Sequence, residues 1–146
     1  MAGTIVIGFD DSEGSERALD HAIAEARESG DLLVVVSVLE TLLDPDGLQD
    51  VGGRDEGTQV IPLVAPAQLE PILAKARARV ETAGVEADYV WGVGNPAEEL
   101  VATARGRGAR LVVLAGNHHG FLSRLIGTDV AAEVEREFGS SVVVVD

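Results

Sequence analysis

The sequence predicts an α/β fold: a doubly wound, five-stranded parallel sheet with four main helices, stacked as three α/β/α layers. Two observations carry this. Apolar, β-branched runs alternate with segments of helical period along the whole chain, the signature of βαβ units. The clearest run, Leu32 to Leu39, is apolar at every position except Ser37, as in a strand covered by helices on both faces. A length of 146 residues suits one domain, expected to span 1–146, and no linker or repeat beyond the βα alternation divides it.

The first strand is expected over Thr4 to Phe9. Ser12 or Asp11 then caps a helix running to Ser29, with Ala18, Leu19, Ala22, Ile23 and Ala26 on one face and Gly30 closing it. Strand two, Leu32 to Leu39, leads into an excursion from Glu40 to Pro66, whose glycines, prolines and six acidic residues leave no room for a long regular element. Two readings of it stand, a lid over a site at the strand ends and a disordered insertion. A second helix, Ala67 to Ala83, carries Leu69, Ile72, Leu73, Ala76 and Val80 as a stripe and ends at Gly84. Strand three is Ala87 to Trp91; Asn95 caps, and Pro96 starts, a third helix reaching Arg107. Strand four is Arg110 to Ala115, the fourth helix runs from Thr128 to Phe138 with Val130, Val134 and Phe138 spaced four apart, and Ser141 to Val145 is the last strand.

Composition excludes several classes of function. Lys+Arg 11 against Asp+Glu 25 gives a net charge of −14, which repels nucleic acid and anionic membrane surfaces. With Cys 0 there is neither a disulfide scaffold nor a thiolate site. The longest apolar runs are strand-sized, far below the ~18 residues of a membrane span. Acidic residues follow directly on the first apolar run, no basic leader precedes it, and the expected compartment is the cytoplasm. Lys75 is the only lysine and aromatics make up 3%, a pattern expected of a halophilic source, with an acidic protein from a GC-rich genome as the alternative. Molar salt, which cuts the Debye length to ~3 Å, would relieve the self-repulsion.

In open parallel sheets ligands bind beyond the carboxyl ends of the strands, where strand order reverses. That rule points to Asp10 to Ser12 after strand one and to the segment from Gly116 after strand four. Gly116, Gly120 and Gly127 would let backbone N–H groups approach a phosphate, and Thr128 at the start of the last helix could offer its hydroxyl. The same residues also suit an ordinary turn with Thr128 as its N-cap.

Three blocks in order resemble the universal stress protein family: the opening TIVIGFDDSEGSERAL, the turn GNPAEEL, and the closing ARLVVLAGNHHGFLSRLIGTDVAAEVEREFGSSVVVVD. The resemblance runs the whole chain. It implies a Rossmann-like sheet of order 3-2-1-4-5, usually a homodimer joined through the last strands, here Ser141 to Val145, and in many members a bound adenine nucleotide such as ATP, with or without Mg. On that pattern Asp10 would sit against adenine and ribose, and Val38 would give backbone contacts to adenine. Gly116, Gly127 and Thr128 would cradle the phosphates, with Ala115 and Asp129 flanking them.

The phosphate loop departs from the family pattern. His119 stands where the second glycine belongs, Gly120 is displaced by one, and seven residues rather than nine separate His119 from Gly127. A Cβ therefore stands where backbone should meet phosphate, and the carboxylate of Asp129 competes with an anionic ligand. Arg124 could compensate by pairing with phosphate, or could simply be a solvated surface residue. Adjacent His118 and His119 face opposite ways on a regular strand, so no metal site is expected.

Asp10-Asp11 also suggests a magnesium-binding receiver domain, but strand three ends in Trp91-Gly92 and Lys75 lies in a helix, which rejects that reading. Asp11 is expected to supply charge at the helix start. No nucleophile elbow or Walker lysine is present, so no catalytic residue is assigned and any ATP turnover should be slow. The expected function is nucleotide-responsive stress signalling. A nucleotide-free dimeric interaction protein is the alternative, and a slow ATPase ranks third. The sequence names no protein partner.

Overall fold

The alternation of apolar runs and helical segments closes into a parallel sheet of order β3-β2-β1-β4-β5 in a computed structural model that describes residues 3–40, 67–116 and 130–145. Its strands are β1 (Thr4–Gly8), β2 (Leu32–Glu40), β3 (Ala87–Gly94), β4 (Leu111–Ala115) and β5 (Val142–Val145). The helices are α1 (Glu13–Ser29), α2 (Glu70–Ala83), α3 (Pro96–Arg107) and α4 (Val130–Phe138), and a 3-10 turn at Gly139–Ser141 precedes β5. The expected strand order is found, and four main helices stand among the described residues.

Right-handed crossovers dictate the layers. From β1 the chain steps through β2 to β3 with α1 and α2 on one face, then crosses to β4 and β5 with α3 and α4 on the other. Two cores follow. Ile5, Ile7, Phe9, Leu33, Val35 and Val113 meet Leu19, Ile23 and Val80 on the first face. Val6, Val34, Val36, Val112 and Leu114 meet Leu100, Val101 and Val134 on the second. Each fully buried side chain of this size contributes ~1.5–3 kcal/mol of transfer free energy. Gly8 lets α3 come close to β1, since a Cβ there would lie 3.2 Å from both Leu100 methyl carbons.

Several boundaries differ from the sequence reading for identifiable reasons. Residues 67–69 form a turn and α2 begins at Glu70 rather than Ala67, because Pro71 lacks an N–H and is tolerated only in a helix's first turn. Strand three runs on past Trp91 to Gly94, because β2 is long enough to pair it through Ser37↔Trp91, Val38↔Gly92, Leu39↔Val93 and Glu40↔Gly94. β1 ends at Gly8, although the Phe9 N–H still donates to the Val36 carbonyl at 2.9 Å. β4 and β5 each start one residue late, at Leu111 and Val142. The excursion beyond Glu40, and the expected start of the last helix at Thr128, lie outside the described residues.

Candidate functional site

The strand order reverses between β1, which feeds α1 on one face, and β4, which leads to α4 on the other. The segments leaving their carboxyl ends therefore turn to opposite faces, the position where sheets of this kind place a ligand crevice. Register decides what lines it. Gly8 pairs with Val36 and Ile7 with Val113, so continuing both ladders sets Asp10 level with Val38 on one side and Gly116 on the other. Asp10, Val38, Ala115 and Gly116 are thus brought together at one end of the sheet. Gly116 is itself anchored, its N–H donating to the Val145 carbonyl at 2.9 Å.

The turn after β1 is built by two serines. Ser12 caps α1 by accepting from the Ser15 N–H, and Ser15 Oγ in turn accepts from the Ser12 N–H at 3.1 Å, closing a reciprocal capping box. Ser15 Oγ also accepts from the Asp10 N–H at 3.2 Å. Asp10 is 6% exposed, and its Oδ1 accepts from the Ser12 N–H at 3.0 Å and the Ser12 hydroxyl at 2.6 Å. Its Oδ2 takes no hydrogen bond from a described residue, and no described cation pairs with it. A buried carboxylate with half its acceptor capacity in hand is equipped to bind hydroxyl or amine donors.

Asp11 turns the other way. Its φ of 70° lies in the left-handed region, and its carboxylate meets Lys75 Nζ of α2 at 2.8 Å. That contact holds the Lys75 ammonium above its ordinary pKa, first through the hydrogen bond and then through the charge of Asp11. Asp11 is therefore a tether between the turn and α2 as well as a charge near the start of α1. Gly14 completes the packing, because a Cβ there would stand 3.3 Å from that of Ala115, so α1 lies close against the end of β4.

Sequence reasoning missed Ser15, Gly14 and the Asp11–Lys75 pair. The spacing Ser12-x-x-Ser15 was a readable signal for the capping box. Of the other expected site residues, His119, Gly120, Gly127, Thr128 and Asp129 lie outside the described residues, as do His118 and Arg124. Among the described residues no cluster of three or more potential ligands could hold a metal, and no helix is long and apolar enough to cross a membrane.

A doubly wound, parallel α/β protein of sheet order 3-2-1-4-5 is the class that this fold defines. Within that class the chain belongs to the universal stress protein family, whose model matches residues 1–146. A universal stress protein solved in complex with cAMP is 27% identical, with a TM-score of 0.70 and coverage of 99% of this chain and 96% of that one. A universal stress protein from Archaeoglobus fulgidus is 23% identical, with a TM-score of 0.70 and coverage of 100% and 95%. Another from Archaeoglobus fulgidus, solved in complex with dAMP, is 18% identical, with a TM-score of 0.67 and coverage of 100% and 98%. No curated protein gives a significant match.

Proposed function

We propose that the crevice between β1 and β4 takes an adenine nucleotide, ATP or a relative of it, and that the protein is a nucleotide-responsive stress-signalling module. The observation that carries this reading is Asp10, a buried carboxylate at the switch point whose Oδ2 has no described partner, level with Val38 and Gly116. The cAMP bound to the 27% identical relative supports the ligand class. Asp10 would accept from ribose hydroxyls or the adenine amine, and Val38 would present backbone to the base. Gly116, Gly127 and the Thr128 hydroxyl would receive the phosphates, with Ala115, His119, Gly120 and Asp129 around them and Mg as a counter-ion. Pairing of two copies through β5 completes the module, since Val142–Val145 is a short, uncharged edge strand. ATP hydrolysis is placed last, for want of a lysine on the phosphates.

The competing reading is a nucleotide-free interaction protein, favoured by His119 and the shortened spacer before Gly127. One experiment separates the two. Protein purified in molar KCl is denatured, released adenine nucleotide is assayed, and refolded protein is titrated with Mg-ATP. Asp10→Asn is the better probe, because its carbonyl oxygen still accepts from Ser12 while the charge is lost. We expect nucleotide binding that this variant weakens about tenfold or more. An empty protein that also ignores added ATP would replace the nucleotide reading with the second one.

A further inference from the structure

The far edge of the sheet from β5 is β3, eight residues long and hydrogen-bonded on one side to β2, with no described strand on its other side. A long open edge is a template for strand pairing unless charge, proline or a bulge blunts it. β3 carries one charged residue, Asp88, and that is engaged by Arg107 at 2.9 Å. It also holds the chain's single tyrosine, Tyr89, and its single tryptophan, Trp91. Alternation places Tyr89, Trp91 and Val93 on one face. Tyr89 and Trp91 are only partly buried, and Val93, at 46% exposure, is the one exposed large hydrophobic among the described residues. Aromatic side chains held half-exposed beside a backbone edge that no described strand pairs are the composition of an interface.

We propose that this edge pairs antiparallel with β3 of a second copy, about a two-fold axis at Trp91. Self-complementarity selects that partner. In this register Trp91 faces its own copy, and Tyr89 of each chain lies opposite Val93 of the other, an aromatic and β-branched cross-strand pair made twice. On the other face Val90 lies opposite Gly92, whose missing side chain leaves room that Glu99 of α3 fills, and Asp88 lies opposite Gly94, so the strand's only charge does not oppose itself. Arg77, stacked 4.5 Å from the Tyr89 ring centre, sits beside the paired ring rather than across from another cation. Such an interface is isologous. It is independent of the nucleotide reading and of β5 pairing, and with the latter it would extend the sheet from copy to copy. At −14 per chain the copies repel, so the contact should tighten in molar salt, where the Debye length is ~3 Å.

Trp91, as the only tryptophan, reports on this edge alone. The test follows its acrylamide quenching, together with sedimentation equilibrium, across a range of protein concentration in low salt and in molar KCl, for the full chain and for Val93→Lys. The expected result is quenching that falls as concentration rises, more readily in molar KCl, with association at least about tenfold weaker in Val93→Lys. Val93 is exposed, so this variant should keep its fold, which circular dichroism checks. A second measurement uses the absence of native cysteines: Trp91→Cys should be trapped by an added oxidant as a disulfide dimer, since the axis sets the two positions opposite one another. Quenching that ignores concentration in both salts, or shielding that survives Val93→Lys, would overturn the proposal even if β5 pairing shows a dimer by sedimentation.

Discussion

Two aspartates are the buried charged residues among those described, and they stand at opposite ends of the sheet. Asp31, 5% exposed, lies just before β2 and has both carboxylate oxygens engaged. Its Oδ1 accepts from the Gly3 N–H at 2.6 Å, its Oδ2 accepts from Arg110 Nε, and Arg110 also reaches Glu25 at 3.6 Å. The Gly3 backbone hydrogen bond, against the cost of burial and with help from Arg110, holds the Asp31 carboxyl below its ordinary pKa. Asp10 is buried to the same degree at the other end, yet only its Oδ1 is used, by a neighbour two residues away. The same side chain at the same burial thus serves opposite ends, one locking β2 and β4 to the N-terminus, the other keeping acceptor capacity for a ligand.

Identical chemistry at both positions should expose that difference. Asp31→Asn removes the charge from a paired site and is expected to destabilise the fold by about 2 kcal/mol, a value tempered by the half-exposure of Arg110. For a chain of this size that lowers the melting temperature by roughly 4–8 °C. Asp10→Asn removes a buried charge that no described cation balances and should be neutral or slightly stabilising while nucleotide binding falls, the usual opposition between stability and function. The pH profile sharpens the contrast. With the folded pKa of Asp31 below the unfolded value near ~3.9, its contribution is complete above that value and is lost as pH falls through the folded pKa. Asp31→Asn should therefore flatten the acid limb of a urea-unfolding series. An equal loss of stability in the two variants would remove the distinction.

The turn at the ligand end offers a smaller test. Asp11 holds φ at 70°, a conformation costing a residue with a Cβ ~1–2 kcal/mol, and it also binds Lys75. Asp11→Ala and Asp11→Gly both abolish the ion pair, but only the second relieves the backbone. Asp11→Gly should be more stable than Asp11→Ala by about 1 kcal/mol in urea titrations. No difference between them would mean that the left-handed turn is not kept in solution.

Much of this was legible in the chain because local chemistry decides it. The Leu32 to Leu39 run announces a strand covered on both faces, Gly30 and Gly84 end their helices at φ of 80° and 75°, and Asn95-Pro96 starts α3 through its accepted hydrogen bond from the Glu98 N–H. What escaped depends on residues that only the fold brings together. Arg110 and Asp31 are 79 positions apart, and Lys75 and Asp11 are 64. Neither pairing leaves a trace in periodicity. The length of β3 was hidden for a similar reason: Gly92 and Gly94 read as a turn, and only the ladder from β2 holds them in a strand. For the site, the strand-end rule led to Asp10 and Gly116, whereas the half-used state of Asp10 follows from the Ser12 geometry.

A third carboxylate falls between the two aspartates. Glu99 of α3 is half-buried over Gly92, and its nearest approach is so close that a Cβ at that glycine would lie 2.5 Å from Oε1. Among the described residues no salt bridge reaches it, and burial first, then the charge of Glu98, pushes its pKa up. The sign is opposite to that of Asp31. With the folded pKa above the unfolded one, the ionised form strains the fold at neutral pH, and stability is regained as pH falls through the folded value toward the unfolded one. Glu99→Gln should stabilise the protein at pH 7 by less than about 1 kcal/mol and remove that rise on acidification, leaving the acid limb to Asp31. If Glu99→Gln instead lowers the melting temperature at pH 7, Glu99 is a paired group like Asp31, and burial without a partner ceases to distinguish Asp10.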